Sequence, residues 1–506
     1  MNITDVIWRN SFAWPDRDAV VWNGKPVSYG QIRKLAEKIA GRLHRAGVER
    51  GSCVGISVEN ALLTLGTVLA LARLGATSTL VDKRHPASRK EEWVDLLGVR
   101  AMIQDAAETW RSKKKQDLIY LDGKDLYAPA IRGGEGVAPV ASDADDLHWI
   151  VGRSSGTTGT PKSIPQTHRQ GHTRSMSARS EDKTIPRLML ALGLGTNIWM
   201  NHTMRQLYSG GCVILMRAVS VEIFLEHAQR DRPDQVLIAT GTAANLIDRI
   251  EQSSLGDATP FPSIQTVTLT GSAVPPALRA RIVKSICPNL QVFYGASETG
   301  GVALLSGSDT GMPEGCAGRL YPWSEVRVVD DAGNVLPSGE TGRLQFRTPG
   351  MISGYLNDAD ATRKAFVDGW FSPGDVGSVD PAGYVTLRGR ADHVLNIGGN
   401  KVDPTAVERV IDACPGILES AVTRLTTDGG HDVLVAVVVP QDAFTREMEE
   451  FVKKRCREQL RPFEVPRAVV AVKSLPKNAG GKTRRDKLAA MLEVSPGDRA
   501  DAKRPA

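Results

Sequence analysis

The largely apolar run His148-Trp149-Ile150-Val151 is followed two residues later by Ser154-Ser155-Gly156-Thr157-Thr158-Gly159-Thr160-Pro161-Lys162. The run reads as a buried strand, so the second stretch is a loop that begins where a strand ends. In a parallel α/β fold that is where ligands are held. Glycines let backbone N–H groups approach a polyphosphate, while hydroxyls and one ammonium neutralise it, and the loop therefore reads as a phosphate cradle. A Ser/Thr/Gly surface linker has the same composition. The preceding strand, the Pro161-Lys162 ending and the absence of flanking low complexity favour the cradle. It is not a Walker A loop, which needs a glycine, four residues and then Gly-Lys-Ser/Thr opening a helix. Gly481-Lys482-Thr483 comes nearest elsewhere, but Pro476 stands where the first glycine should be.

On the amino-terminal side, Ile32, Leu35, Ile39 and Leu43 recur at helical spacing over residues 28–47, with Ser28 placed to cap that helix and Gly47 to stop it. A strand at Cys53–Val58, a helix at Ala61–Leu74 and a strand at Ser78–Val81 follow, and the polar stretch Trp110–Asp146 reads as surface loop. Beyond the cradle, strands at Val213–Met216, Val236–Ala239, Thr266–Thr270 and Leu290–Phe293 alternate with helices at 220–231, 242–252 and Pro275–Ile286. That alternation is the rhythm of a parallel sheet. Val326–Leu387 reads as short antiparallel strands or a small barrel. After a boundary near Gly389-Arg390-Ala391-Asp392 the pattern restarts as a compact unit of two helices and three strands, and the polar tail from Ser495 reads as disordered. The expected fold is α/β: a large domain of parallel α/β sheets with a small barrel-like β part over residues 1–389, then a small α+β domain over residues 390–506.

Bulk properties exclude several classes. The 506 residues are 41% hydrophobic and 24% charged, ordinary for a water-soluble globular chain long enough for two or more domains. The net charge of +6 is modest and aromatics are only 5%, so a basic stripe with interleaved aromatics for nucleic acid is not expected. Six cysteines without C-x-x-C or paired-histidine spacing suggest neither a zinc site nor a disulfide frame. The start lacks the order of a signal peptide and the most apolar segment, Ala61–Ala72, is too short to span a bilayer, so a cytoplasmic protein is expected.

Three further elements carry chemistry. In Tyr294-Gly295-Ala296-Ser297-Glu298-Thr299-Gly300, a flat aromatic, a hydroxyl and a carboxylate at a strand end could stack a purine, contact a phosphate and hold Mg²⁺ through oxygen. In Gly369-Trp370-Phe371-Ser372-Pro373-Gly374-Asp375, the aspartate sits in a turn where local capping is the ordinary role. In Pro476-Lys477-Asn478-Ala479-Gly480-Gly481-Lys482-Thr483-Arg484-Arg485, a lysine of a polar loop would by default be solvated.

These four elements, in this order between Ser154 and Arg485, resemble the adenylate-forming superfamily of acyl-CoA synthetases, peptide-synthetase adenylation domains and beetle luciferases. The resemblance implies that Ser154, Ser155, Gly156, Thr157, Thr158, Gly159 and Lys162 hold the phosphates, with Thr158 and Glu298 toward the metal. It implies adenine stacking by Tyr294 beside Gly295 and Ala296, α-phosphate contact by Ser297, and a border of the adenine and acyl pockets at Gly271-Ser272-Ala273. Asp375 would accept both ribose hydroxyls, Arg390 would contact ribose and phosphates, and Asp392 would be the hinge of a mobile small domain. Gly398 and Gly399 would line a pantetheine tunnel, and Lys482 would be the catalytic lysine, aided by Arg390 and Thr158. An ammonium bridging the carboxylate and the α-phosphate offsets their repulsion and stabilises charge developing at phosphorus.

The chain departs from this family in the acyl pocket. Where an aromatic Pro-Phe-His gate is usual stands Gly193-Leu194-Gly195-Thr196-Asn197, with Trp199 and His202 a few residues on as candidate substitutes. Gly241 replaces a usual proline site. Gly193, Gly195 and Gly241 read either as a roomy or reshaped pocket or as tight backbone packing, and Gly271, Gly295 and Gly300 are further candidates for the substrate pocket.

The activity implied is ATP-dependent carboxylate–CoA ligation through an acyl-adenylate, using ATP, Mg²⁺ and CoA. Alternatives are an adenylating enzyme that loads a carrier protein in trans or forms an amide, and a non-catalytic nucleotide-binding homologue. The expected partners are a small carboxylic acid, ATP and CoA, with no nucleic acid or membrane, on a monomer or homodimer.

Overall fold

The computed structural model of the chain describes residues 1–83, 85–105, 108, 110–113, 119–122, 139–154, 162–176, 186–252, 261–271, 274, 276–309, 311–313, 315–390, 395–397, 400–426, 432–477 and 483–494. Ser155, Gly156, Thr157, Thr158, Gly159, Ser272, Ala273, Asp392, Gly398, Gly399 and Lys482, with the tail from Ser495, lie outside the described residues.

Helix Ala61–Leu74 is apolar nearly all round and almost wholly buried, as a helix enclosed by protein must be. Asn60 caps its start by accepting from the Leu63 N–H at 3.0 Å, and Gly75 ends it at φ +72°. Helix Tyr29–Arg45 packs against it and opens on the expected cap, a reciprocal box in which Ser28 Oγ accepts from Gln31 N and Gln31 Oε1 accepts from Ser28 N. Ile39, Leu65 and Leu69 of these helices share one continuous core with Val54 and Ile56 of one sheet and Leu190 and Val213 of another.

The first of those sheets runs Ile119–Asp122, Ala101–Gln104, Cys53–Ser57, Thr77–Leu80, His148–Arg153, Ser163–Thr167, parallel except for its last pair. The second contains the parallel neighbours Cys212–Leu215, Arg187–Ala191, Gln235–Ala239, Thr266–Thr270 and Leu290–Ala296. From Leu290–Ala296 onward its pairs turn antiparallel through Gly300–Leu305, Cys316–Leu320, Tyr384–Arg390, Asp375–Val379 and Gly342–Arg347. Of the two forms expected for the β part, the antiparallel strands are found, as an extension of the parallel sheet, and among the described residues no pairing closes them into a barrel.

Three other expectations change. Ile119–Asp122 is a strand inside the stretch read as loop, too short a β-prone run to stand out from its polar flanks. Strand Leu290–Ala296 extends three residues beyond Phe293, because it continues as a hairpin with Gly300–Leu305. Strands Arg187–Ala191 and Ser163–Thr167 and helix His168–Met176 were not legible in the periodicity.

The carboxy-terminal unit pairs Ile417–Thr426 antiparallel with Asp432–Pro440 and that strand parallel with Ala468–Ala471. Helices Pro404–Asp412 and Arg446–Gln459 supply Val407, Ile411, Val452 and Cys456 to its core. Asp412 lies within it. Burial lifts its carboxyl to about 8, with Glu408 and Glu419 adding to the shift against a hydrogen bond from Ser420, and its Oδ1 meets no hydrogen-bond partner. A group whose folded-state pKa is raised above the unfolded value near 4 contributes fully only below that value, and the contribution is lost as pH rises toward 8. Asp412→Asn, which cannot ionise, is expected to match the parent near pH 4 and to exceed it by roughly 2–5 kcal/mol at pH 8. Thermal melts at the two pH values check this, and an equal gain at both would contradict it.

Candidate active site

The two ends of the Ser154–Lys162 loop are tied together. Ser154 N donates to Lys162 O and Lys162 N donates to Ser154 Oγ, each at 2.9 Å. The strand entering the loop is clasped from the side by Asn197, whose Nδ2 donates to Arg153 O at 3.2 Å. A Cβ at Gly152 would lie 1.7 Å from Asn197 Oδ1, so this contact requires glycine there. The Lys162 ammonium sits 4.7 Å from the centroid of the Tyr355 ring, within cation–π range. The Tyr355 hydroxyl in turn donates to Glu298 Oε1 at 2.9 Å. Burial and the adjacent Glu298 carboxylate push the Tyr355 phenol well above its ordinary range, so it stays protonated and donating.

Glu298 is placed by its backbone. Strand Leu290–Ala296 and strand Gly300–Leu305 leave only Ser297-Glu298-Thr299 for the turn. The hairpin is so tight that a Cβ at Gly295 would lie 2.1 Å from Gly300 O. Arg174 on helix His168–Met176 then grips the turn: Nη1 donates to Ser297 O at 3.0 Å, Nη2 to Glu298 O at 2.6 Å and Nε to Gly350 O at 2.7 Å. Burial draws the Arg174 guanidinium down to about 10, with the Glu298 charge opposing, so it is cationic at neutral pH. Ile352 N and Thr348 Oγ1 complete the clamp on Glu298 O and Thr299 O. Nothing in the sequence marked Arg174 or Tyr355: one is an arginine in a polar helix, the other a tyrosine in a turn-rich stretch.

A second chain of contacts starts from the same strand. The Tyr294 hydroxyl donates to Asp375 Oδ2 at 2.6 Å, and Arg390 Nη1 meets Asp375 Oδ1 at 3.1 Å. Asp375 and Arg390 are directly opposed in an antiparallel register, which brings residues 15 apart in sequence together. Arg390 Nη2 also donates to Pro373 O at 2.9 Å. Burial first, then Asp375, raises the Tyr294 phenol far above its usual range. Lys162, Glu298, Tyr294, Asp375 and Arg390 are therefore gathered around one hairpin, and Ala296 and Ser297 lie between the two chains of contact.

The acyl-pocket candidates divide. Thr196 caps helix Asn197–Tyr208 by accepting from Trp199 N at 3.3 Å, and Asn197 is the clasp on the phosphate loop. Trp199 is 2% exposed within the apolar core beside Met200 and Leu207, so it packs and does not gate. His202, one turn further along the helix, meets Phe293 edge to face at 5.3 Å. Burial and the nearby Arg205 pull the His202 imidazole down to about 3, so it is neutral. Gly271, at φ +99°, follows strand Thr266–Thr270 directly, Gly300 is at φ +76°, and Gly241 is the second residue of helix Thr240–Gln252. Gly195, at φ +80° with the Leu80 side chain against it, answers to packing and backbone conformation.

A hard cation takes oxygen donors, and magnesium is usually held by one or two carboxylates together with substrate phosphates. Glu298 fits that part: Tyr355 and the backbone clamp hold it in place, and among the described residues no cationic side chain is bonded to Oε1. The hairpin thus gathers two cations, Lys162 and Arg390, and two carboxylates, Glu298 and Asp375, a donor set suited to a polyphosphate and its counter-cation.

Comparison with known proteins places the chain in a family. The AMP-binding enzyme family matches residues 7–356 and the AMP-binding enzyme C-terminal domain matches residues 406–482. The chain belongs to the AMP-binding enzyme family, within the adenylate-forming superfamily. A 2-succinylbenzoate–CoA ligase of Listeria monocytogenes is 28% identical over 486 residues, covering 94% of this chain and 96% of the relative. An indoleacetate–CoA ligase of Aromatoleum aromaticum is 26% identical, covering 97% and 98%. The Bacillus subtilis O-succinylbenzoate coenzyme A synthetase, solved with ATP and a magnesium ion, superposes with a TM-score of 0.82 at 22% identity, covering 96% of this chain and 99% of its own.

Proposed function

We propose that this chain converts an aryl-substituted carboxylic acid to its CoA thioester, using ATP and Mg²⁺. It is an AMP-forming acid–thiol ligase. The carboxylate attacks the α-phosphorus of ATP, the bond to the β-phosphate oxygen breaks, and acyl-adenylate and pyrophosphate form. The CoA thiol then adds to the acyl carbon and AMP leaves with the electron pair of the former acyl–phosphate bond. The observation that carries the residue assignment is the pair of contact chains, Lys162–Tyr355–Glu298 and Tyr294–Asp375–Arg390, meeting on one hairpin.

In this reading Asp375 orients the ribose and Arg390 the ribose and phosphates. Thr158, Lys162 and the loop amides hold the β- and γ-phosphates, Ser297 contacts the α-phosphate, and Lys482 stabilises the charge developing at phosphorus. Magnesium, held through Glu298 and Thr158, would neutralise phosphate charge. No side-chain nucleophile is required, because catalysis is positioning and charge stabilisation. Residues 390–506 form the small domain, and rotation about Asp392 exchanges Lys482 for the Gly398-Gly399 loop between the two steps. The aryl preference is supported by the edge-to-face pair of Phe293, in strand Leu290–Ala296, and His202, on helix Asn197–Tyr208, and by the aryl acids named for both relatives. No helix among the described residues is long and apolar enough to cross a membrane.

Acid-dependent exchange of labelled pyrophosphate into ATP, run over benzoates, indoleacetate, 2-succinylbenzoate and saturated chains, tests the reading. Exchange fastest with an aryl acid, and AMP release stimulated by CoA over an amine, are expected. A saturated acid faster by tenfold or more would overturn the aryl preference, and no exchange with any acid would overturn the ligase assignment.

A further inference from the structure

We propose that Arg205 and Tyr321 select the acid: together they hold a second carboxylate, at the end of an aryl acid remote from the carboxylate that is adenylated. The inference rests on the aryl-acid reading above and narrows it to diacids.

Arg205 lies one turn beyond His202 on helix Asn197–Tyr208, and residues three apart on a helix are neighbours on its surface. The two are close enough for the guanidinium to depress the imidazole, and the His202 ring already meets Phe293. Arg205 donates a hydrogen bond to the Tyr321 hydroxyl. Tyr321 directly follows strand Cys316–Leu320, and its N–H donates to Val302 O at 3.0 Å. Its ring stacks on Trp323 with centroids 4.7 Å apart and planes 6° apart, which fixes where the hydroxyl stands.

This group is tied to the nucleotide hairpin at Gly301. A Cβ there would lie 2.8 Å from the Phe293 ring and 3.0 Å from the Tyr321 ring, so both rings close on one bare position. Gly301 pairs with Gly295 across the hairpin whose turn carries Ser297 and Glu298. The cluster therefore sits against the same two strands that place Tyr294 and Glu298.

Two observations point to a ligand. His202, Arg205 and Tyr321 each keep accessible surface, yet burial is the leading influence on the titration of all three. Side chains that are deep and still accessible line a concavity. The donor set then names the ligand. An arginine stays charged even where burial opposes it, and its planar fork matches a carboxylate two N–H groups at a time. Burial raises the Tyr321 phenol, so it keeps its proton, and an oxygen that accepts from Arg205 can donate that proton onward. A cation at depth is offset far better by a fixed anion than by a neutral hydroxyl.

The test uses the full chain and acid-dependent pyrophosphate exchange, with acids paired so that a methyl group replaces the remote carboxyl. The pairs are 2-succinylbenzoate with 2-butanoylbenzoate, and 4-carboxyphenylacetate with 4-methylphenylacetate. In the parent, kcat/KM should favour the diacid by about tenfold or more in at least one pair, the usual worth of a hydrogen bond to a charged group. Arg205→Met should bring that ratio to about one, by loss on the diacid with the monoacid changed less than about threefold. Arg205→Lys should keep part of the preference. Tyr321→Phe, which retains the stacked ring, should lower the ratio severalfold, and KM for ATP should stay within about twofold in all three variants. A parental ratio near one in both pairs, or a ratio unchanged in both Arg205→Met and Tyr321→Phe, would overturn the inference. Equal losses for diacid, monoacid and ATP in those two variants would do so too, as the mark of packing alone. A tenfold preference for 3-hydroxybenzoate over both diacids would overturn the choice of carboxylate. Absence of exchange with every acid would overturn the ligase reading instead.

Discussion

Arg174→Met should lose Mg·ATP binding by at least tenfold and lower the melting temperature by about 5 °C, although Arg174 belongs to none of the recognisable motifs. Its three donors hold the carbonyls of Ser297, Glu298 and Gly350, and methionine offers none of them. Each carbonyl left without a donor costs roughly 1–3 kcal/mol, more where the lost donor was charged. Glu298 O keeps the Ile352 amide, so the heaviest loss falls on Ser297 O and Gly350 O. Once the turn relaxes, the Glu298 carboxylate and the Ser297 hydroxyl both move. Arg174→Lys keeps the charge but places one ammonium where a planar fork bridged three acceptors, and it should restore only part of the binding. Calorimetric titration with Mg·ATP checks this, and binding within twofold of the parent in Arg174→Met would refute the role.

Lys482→Ala should lower acid-dependent pyrophosphate exchange by about 10²–10³-fold, the usual cost of deleting one donor aimed at developing charge. ATP binding should change by less than about threefold, because the proposed site assigns ground-state contacts to Lys162, Asp375 and Arg390, and an interaction made only in the transition state costs rate without costing affinity. Thioester formation from preformed acyl-adenylate and CoA should proceed at the parental rate. Equal exchange in variant and parent would remove Lys482 from the first step.

The candidate site was more legible in the sequence than the sheet that carries it. The cradle, Tyr294–Gly300, Asp375 and Arg390 could be picked out because their chemistry is compressed into a few adjacent residues. Helices Tyr29–Arg45 and Ala61–Leu74 were legible for a similar reason, since capping and periodicity are local. What escaped was set by distant partners. Strand Ile119–Asp122 is fixed by parallel pairing with Ala101–Gln104, and the last three residues of strand Leu290–Ala296 by the returning hairpin. Arg174 holds the turn only because residues 297, 298 and 350 come to it, and Tyr355 joins Lys162 to Glu298 only because the fold flanks it with both. Trp199, one of two candidate substitutes for the missing aromatic gate, could not be placed from sequence, because an aromatic beside a pocket and an aromatic in the core give the same letter; it is buried in the core.

Gly389 lies where the Asp403 carboxylate presses on the strand, and an added Cβ would stand 2.2 Å from Asp403 Oδ2. The small carboxy-terminal unit can seat against the large one in this pose only because position 389 is bare. A single methyl group there would act as a wedge, prising this seating apart while leaving the chemistry of both halves intact. Gly389→Ala is thus a way to count, by the ratio of the two half-reactions, how much of the catalytic cycle is spent in this embrace.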